Sequence, residues 1–268
     1  MSRTMLTSLA IIAGMVVVFL FLMKNFQENF IFFPEELPQE YEFDFRIPFE
    51  EKFFEPEEGV KLHGLYFKAD KPKGVVLYFH GNAGSMRNWG MVCEDFVPLG
   101  YDILVMDYRQ YGKSRGKLSE EALLNDAAYC YEHLKNEMNR KEEEIIVYGR
   151  SLGTGPAMKL AADYNPGKVI LETPFYNFKK LASVHMPFLP LGMLLEYNFP
   201  NDKWMRQTRS PVYIVHGTND EIVPFEQGRE LAQLLDDHEE KFFPVEGGNH
   251  NNLNQFDEYH RFLKKVLK

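Results

Sequence analysis

The sequence predicts an α/β protein with a mostly parallel sheet covered by helices on both faces. From Val75 onward, short continuous apolar runs alternate with segments of helical periodicity, which is typical of parallel strands buried on both faces. From Tyr41 to Ile47, aromatic and charged residues alternate instead, which is typical of a half-buried strand. With 268 residues and 45% hydrophobic side chains, the chain can bury one sizeable core.

The chain begins with an apolar segment, residues 1–24, that we predict to be a membrane anchor. Thr4 to Met23 runs twenty residues without a charge, between Arg3 and Lys24. A helix of this length reaches about 30 Å, enough to cross a bilayer. No small-residue cleavage site follows, so we expect one uncleaved span rather than a signal peptide. The flanking charges lean slightly towards a folded domain outside the cytoplasm.

A juxtamembrane linker is predicted at 25–40, where aromatic residues accompany two prolines, and the folded domain at 41–268. The first strands of this domain are expected at Tyr41–Ile47, Glu51–Glu55 and Val60–Lys68, as an antiparallel start to the sheet.

Strands and helices are then predicted in alternation. The strands are Val75–Phe79, Ile103–Met106, Ile145–Tyr148, Val169–Leu171, Val212–Val215 and Phe242–Val245. The helices are near Asn88–Leu99, Ser119–Met138, Ser151–Tyr164, Phe225–Leu235 and Asn252–Leu267. The interval 174–210 is too long for a simple connection and is rich in aromatic residues, so we predict a lid insertion there, above the carboxyl edge of the sheet.

The main chemical signal is Gly149-Arg150-Ser151-Leu152-Gly153, a G-x-S-x-G motif between a predicted strand and a predicted helix. In this context the serine stands on a strained turn that exposes its hydroxyl, and small residues on either side leave room for it. The pattern predicts Ser151 to be a nucleophile.

Three more signals follow predicted strands, at the edge where open α/β sheets place their sites. Glycines around Asn82, in His80-Gly81-Asn82-Ala83-Gly84, let backbone N–H groups point into a cavity. We predict an oxyanion hole formed by the N–H groups of Asn82 and Leu152, with Ala83 as the alternative to Asn82. His80 is expected to order this loop by hydrogen bonding.

The other two signals supply an acid and a base. Asp220 follows the strand at Val212–Val215, and His250 lies in a Gly-rich loop after the last strand. A carboxylate that accepts the imidazole Nδ1–H holds the tautomer whose Nε2 can take the serine proton. The sequence therefore predicts a catalytic triad of Ser151, Asp220 and His250. Neighbouring Glu221 is expected at the surface.

Two further carboxylates end predicted strands. Glu172 is expected to be a buried structural group, and Asp107 is expected to organise its loop with Arg109 and Ser114.

Charge and motif content argue against other classes of function. The net charge of -9, without a run of Lys or Arg longer than two, argues against a nucleic-acid partner. No cluster with metal-ligand spacing, phosphate-binding loop or dinucleotide motif occurs, so no metal or organic cofactor is expected.

Assembled, these residues resemble the α/β-hydrolase superfamily, in particular its single-pass membrane-anchored branch of small serine hydrolases. The resemblance covers about 41–268, and Gln110 stands where this branch usually has Gly. The matching segments are Phe79–Gly84, Asp107–Gly116, Gly149–Gly153, His216–Pro224 and Gly248–Asn251.

The resemblance implies carboxylesterase or acyl-protein thioesterase activity on a small or lipidated substrate. From the residues alone, we expect cleavage of an ester or thioester with an apolar acyl group. Two alternatives stay open: a serine peptidase or amidase with the same triad, and a membrane-tethered binding protein without turnover.

Overall fold

The computed structural model describes residues 3–268. Within this range, eight strands form one sheet. We number them β1 (Phe49–Phe54), β2 (Leu62–Phe67), β3 (Val75–Phe79), β4 (Asp102–Asp107), β5 (Ile145–Arg150), β6 (Lys168–Glu172), β7 (Val212–Gly217) and β8 (Phe242–Val245).

The order of strands across the sheet is β8-β7-β6-β5-β3-β4-β2-β1. Strands β1 and β2 are antiparallel to each other, and β2 is antiparallel to β4. The remaining neighbours are parallel, as the change of sequence pattern at Val75 predicts. The chain leaves β3 towards one side of the sheet and β5 towards the other, so a crevice opens between their carboxyl ends. A site is expected there.

The helices lie on both faces of the sheet. Helices α5, α6 and α10 cover one face, and α3, α4 and α12 pack on the other. The helix bounds are α1 Arg3–Asn25, α2 Glu28–Ile31, α3 Met86–Trp89, α4 Cys93–Phe96, α5 Glu120–Asn136, α6 Thr154–Asp163, α7 Phe178–His185, α8 Leu191–Leu194, α9 Asn201–Met205, α10 Phe225–Ala232, α11 His238–Lys241 and α12 Asp257–Val266.

The predicted membrane anchor forms helix α1. Of the helices between residues 3 and 268, none combines the length and the apolar character that a membrane crossing requires. The transmembrane span predicted at 1–24 is therefore unsupported by the structure. Met1 and Ser2, the first residues of that segment, lie outside the described residues.

Two predicted elements differ from the structure. Tyr41–Ile47 does not pair as a strand. Its alternating rings pack on the sheet instead: Phe43 stacks on His63 with ring centroids 5.4 Å apart, and Phe45 contacts Phe67 at 5.6 Å. The predicted helix at Asn88–Leu99 is broken into short α and 3-10 turns.

The lid insertion lies between β6 and β7 and contains the short helices α7, α8 and α9. Its aromatic residues divide into two groups. Phe175 and Phe199 are fully buried in the core, whereas Phe188 is 96% exposed. The lid is thus anchored at its two ends and exposed in its middle.

Candidate active site

The site begins at the sharp turn after β5. Ser151 has a backbone φ of 50°, a left-handed conformation that is strained for a residue with a side chain. The turn continues as a 3-10 helix, Ser151–Gly153, into α6. Thr154 stabilises this entry because its hydroxyl donates to the carbonyl oxygen of Ser151 over 2.6 Å.

Glycine is required on both sides of the serine. A Cβ on Gly153 would collide with the carbonyl oxygen of Phe79 at the end of β3. A Cβ on Gly149 would stand 2.7 Å from the Cβ of Ala157 on α6. The turn therefore packs directly against the neighbouring strand and its own helix, as the G-x-S-x-G pattern predicts.

The structure brings the three predicted triad residues together. His250 Nε2 lies 3.0 Å from Ser151 Oγ, and His250 Nδ1 lies 2.8 Å from Asp220 Oδ2. All three residues are buried, with Ser151 9%, His250 8% and Asp220 7% exposed. In this geometry the histidine bridges the hydroxyl and the carboxylate.

Asp220 is held as an ionised acceptor. Its Oδ1 accepts the backbone N–H groups of Ile222 and Val223 at 2.9 and 2.8 Å, which leaves Oδ2 for the histidine. Buried His216 also reaches Oδ2, at 3.2 Å. Burial raises the pKa of the Asp220 carboxyl, but hydrogen bonds from His216 and His250 lower it more, so the pKa lies well below its ordinary value.

Arg150 also contacts this site, a role that the sequence did not predict. Its Nη2 donates to the carbonyl oxygen of His250 at 3.0 Å, and its Nε lies 3.3 Å from Glu172 Oε1. The guanidinium also stacks over Trp89, 5.0 Å from the ring centroid. Arg150 thus ties the histidine loop to β5 and β6. The available signal was a charged residue at the end of an otherwise buried strand.

The loop after β3 supplies the opposite wall. His80 Nδ1 lies 2.7 Å from the carbonyl oxygen of Gly81, and the Tyr108 hydroxyl donates to the carbonyl oxygen of His80 over 2.6 Å. These bonds agree with the loop-ordering role expected of His80. Asn82 and Leu152, the residues predicted for an oxyanion hole, line the same cavity as Ser151.

Asp107 lies behind this loop, and of its two predicted partners, Arg109 and Ser114, only Ser114 bonds to it. Its carboxylate accepts the Met86 N–H at 3.0 Å and lies 3.4 Å from His80 Nε2. Ser114 does bond to Asp107, through the backbone carbonyl oxygen at 2.8 Å. Arg109 instead pairs with Asp126, because that buried carboxylate on α5 accepts both Nε and Nη2, at 2.8 and 2.7 Å.

Gln110, the departure from the family pattern, has a φ of 71°. Glycine adopts this left-handed conformation without strain, whereas a residue with a side chain does not.

The candidate site opens into a cavity of about 270 Å³. Three groups of residues wall it: the strand-end loops, the lid, and the N-terminal segment through Phe33. The lid contributes apolar side chains, and the loop after β7 adds Ile222 and Val223. The lid residues are Phe175, Phe178 and Leu181. Among residues 3–268, no group of three His, Cys, Asp or Glu side chains is arranged to hold a metal ion.

Fold and site together define a protein of the α/β-hydrolase class. A family model described as serine aminopeptidase, S33, matches residues 70–201. An uncharacterized protein of Mycobacterium tuberculosis is 28% identical over 250 residues, 92% of this chain and 88% of that protein. The alpha/beta hydrolase domain-containing protein 17B of Homo sapiens is 32% identical over 199 residues, 73% of this chain and 66% of that protein.

Solved structures share the fold at low sequence identity. The Pyrococcus furiosus esterase Pf2001 superimposes with a TM-score of 0.68 at 19% identity, over 88% of this chain and 98% of that one. Est1E from Butyrivibrio proteoclasticus, with ferulic acid bound, gives a TM-score of 0.63 at 18% identity, over 81% and 96% of the two chains. This chain belongs to the α/β-hydrolase superfamily, and the comparisons support a hydrolase function of the serine-hydrolase type.

Proposed function

We propose that this protein hydrolyses an ester or thioester with an apolar acyl group, through an acyl-enzyme formed on Ser151. One observation carries the proposal: His250 Nε2 lies 3.0 Å from Ser151 Oγ, at the mouth of a largely apolar cavity. A hydroxyl at hydrogen-bonding distance from an imidazole that a carboxylate orients is the arrangement that activates a serine.

In the proposed reaction, His250 takes the Ser151 proton as Oγ attacks the carbonyl carbon of the substrate. The N–H groups of Asn82 and Leu152 stabilise the oxyanion of the tetrahedral intermediate. His250 then returns the proton to the departing alcohol or thiol, which leaves an acyl ester on Ser151. Water, deprotonated by the same imidazole, attacks this ester, and the imidazolium then protonates Ser151 Oγ as it leaves, which releases the carboxylic acid and the free serine.

The apolar wall of the cavity is the proposed position of the acyl group. This wall consists of Phe175, Phe178 and Leu181 from the lid, with Ile222 and Val223 from the loop after β7. We therefore propose that the fit of the acyl chain against these side chains sets the preferred chain length. Replacing Leu181 with Trp fills part of the apolar wall and should shift the optimum towards shorter chains in a p-nitrophenyl ester series.

The nucleophile is tested with Ser151→Ala on a p-nitrophenyl butyrate assay and a fluorophosphonate label. Turnover should fall by about 10⁶, as the loss of a triad serine does in other hydrolases, and labelling should disappear. Ser183→Ala is the matched control, because this lid serine is exposed and bonds only to the Lys179 carbonyl within the described chain. Wild-type turnover in folded Ser151→Ala would refute the assignment.

Absence of labelling and turnover in folded wild-type protein would instead favour the membrane-tethered binding protein.

A second enzymatic function, amide cleavage, is favoured by the description of the family model as a serine aminopeptidase. A panel of fluorogenic peptides set against the ester series distinguishes the two, because a peptidase should reach its highest kcat/KM on the peptides.

We also propose that the N-terminal helix attaches the protein to a membrane. This proposal is supported by large apolar side chains that α1 exposes, among them Ile12, Val17 and Phe21 at 52%, 65% and 63%. Ile12→Asp with Val17→Asp should move the full-length protein from the membrane pellet to the supernatant. Placement of the hydrolase domain outside the cytoplasm stays a prediction, which protease protection of intact cells would test.

A further inference from the structure

The N-terminal segment 27–37 runs between the lid and the loop after β3. At its centre, Phe33–Pro34 forms a short parallel ladder with Ala83–Gly84. The Glu35 N–H extends this ladder by donating to the carbonyl oxygen of Gly84 over 3.0 Å. A stretch far from the triad in sequence is therefore in backbone register with the loop that walls the candidate site.

Asn82, at the start of that loop, is held from two directions. Its Nδ2 donates to the carbonyl oxygen of Ile31. From the other side, the Tyr111 hydroxyl lies 2.6 Å from the Asn82 carbonyl oxygen and 3.0 Å from Asn82 Oδ1. The residue whose backbone N–H is proposed to bind the oxyanion is thus tied, through its side-chain amide, to a carbonyl of the N-terminal segment.

Glu35 fixes the far end of the same loop. Its carboxylate accepts the hydroxyl of Ser85 over 2.7 Å and pairs with Arg87. Ser85 is fully buried and is the N-cap of α3, because its Oγ also accepts the Arg87 N–H. Glu35 therefore connects the N-terminal segment to the point where the loop ends and the helix begins.

Other contacts keep the segment in place. Gly112 N–H donates to the Glu35 carbonyl oxygen, and Leu37 N–H donates to the Gly112 carbonyl oxygen, both at 2.8 Å. On the lid side, buried Phe32 packs edge-on against Tyr197 with ring centroids 4.9 Å apart. Buried Gln27 accepts the Glu196 N–H over 2.9 Å. The segment thus joins the lid to the loop.

We propose that residues 31–35 position the oxyanion hole, with the Glu35 carboxylate and the Asn82 side-chain amide as the positioning groups. The inference rests on the serine-hydrolase function proposed above. Donors to an oxyanion must be preorganised about 2.7–3.1 Å from the developing charge. A displacement of about 1 Å in a positioned group can cost about 100-fold in rate, so loss of either tie should act mainly on the transition state.

The test uses Glu35→Ala in the full chain, with Glu36→Ala as the matched control. Glu36 is exposed, and its carboxylate has no partner within the described part of the chain. On p-nitrophenyl butyrate, kcat of Glu35→Ala should fall about 10-fold to 100-fold, with KM within about twofold of wild type. The affinity for a trifluoromethyl ketone, which mimics the tetrahedral oxyanion, should fall by a similar factor.

A second variant, Asn82→Ala, removes the side-chain amide that bonds the Ile31 carbonyl oxygen and keeps the backbone N–H, so it tests the other positioning group if Glu35→Ala does not fold. The same fall in kcat and in inhibitor affinity is expected, with a circular dichroism spectrum like that of the wild type. Unchanged values in the folded variants, or a change confined to KM, would overturn the inference.

The two proposals fail in different ways. If folded wild-type protein neither hydrolyses the ester nor reacts with fluorophosphonate, the proposed function is wrong. The positioning role proposed for residues 31–35 is then wrong as well. If wild type is active and Ser151→Ala is not, while Glu35→Ala and Asn82→Ala match the wild type, only the positioning role is refuted.

Discussion

The loops at the carboxyl edge of the sheet and the lid above them wall the same cavity but are held in different ways. The loops are fixed by close backbone packing and by buried polar bonds. Gly153 has no room for a side chain, and both oxygens of the Asp220 carboxylate are bonded.

The lid is built from short helices, and its middle is exposed. Phe188 and Met193 have 96% and 74% of their surfaces exposed, and Gly192 between them has only a flexible lysine nearby. The sheet therefore fixes the geometry of the proposed chemistry, whereas the lid forms an apolar wall that can change without disturbing that geometry.

The largest expected contrast is catalytic. Asp220→Asn should lower kcat by about 10⁴, because an amide NH₂ facing His250 favours the tautomer that cannot accept the serine proton. Phe178→Ala in the lid should change kcat by less than about tenfold and mainly alter the preferred acyl length. Steady-state kinetics on an ester series measure both. Equal losses of kcat in the two variants would contradict the division between the loops and the lid.

A second contrast compares two glycines. Gly153→Ala should lower the free energy of unfolding by about 3 kcal/mol, because the new Cβ collides with the Phe79 carbonyl oxygen, which cannot move aside. Gly192→Ala should change stability by less than about 1 kcal/mol, since a Cβ there meets only Lys179 Nζ at 3.0 Å. Urea unfolding of both variants measures these free energies. A Gly153→Ala variant as stable as the wild type would show that the turn at Ser151 has more room than this packing implies.

A third prediction concerns the partly buried carboxyl of Asp95 on α4. Burial, with Glu172 nearby, raises the pKa of Asp95 from about 3.8 to about 6. The folded protein therefore holds this proton more tightly than the unfolded chain, so stability falls as the pH rises from about 4 to about 6.

Asp95→Asn removes this penalty. The variant should be more stable than wild type by about 2 kcal/mol at pH 8 and equally stable below about pH 3, where this carboxyl is largely protonated in both the folded and the unfolded wild type. Thermal unfolding at the two pH values tests this, and a gain of equal size at both would rule out the ionisation as its cause.

The smallest expected effect is at Gln110. Because its φ of 71° suits glycine, Gln110→Gly should raise the free energy of unfolding by about 1 kcal/mol or less, with kcat unchanged. A lower melting temperature in the variant would mean that the Gln110 side chain contributes contacts worth more than the strain.

The sequence predicted most of the strands and the residues proposed for the triad, because each depends on a local pattern. Apolar runs marked β3 to β8, and the G-x-S-x-G motif located the turn at Ser151. A parallel sheet brings the ends of such strands to one edge, so the convergence of Asp220 and His250 on that edge followed from their positions after strands.

Other features were decided only by the tertiary structure. The alternation in Tyr41–Ile47 predicted a strand, but the rings pack on the sheet without pairing at its edge. Arg150 reaches the carbonyl oxygen of His250 across the site, and residues 31–35 pair with the loop after β3. These contacts join residues far apart in the chain through backbone atoms, which carry no residue-specific signal. Local sequence patterns were therefore enough to predict the sheet and the residues of the proposed chemistry, whereas the contacts that hold those residues in place appear only in the folded chain.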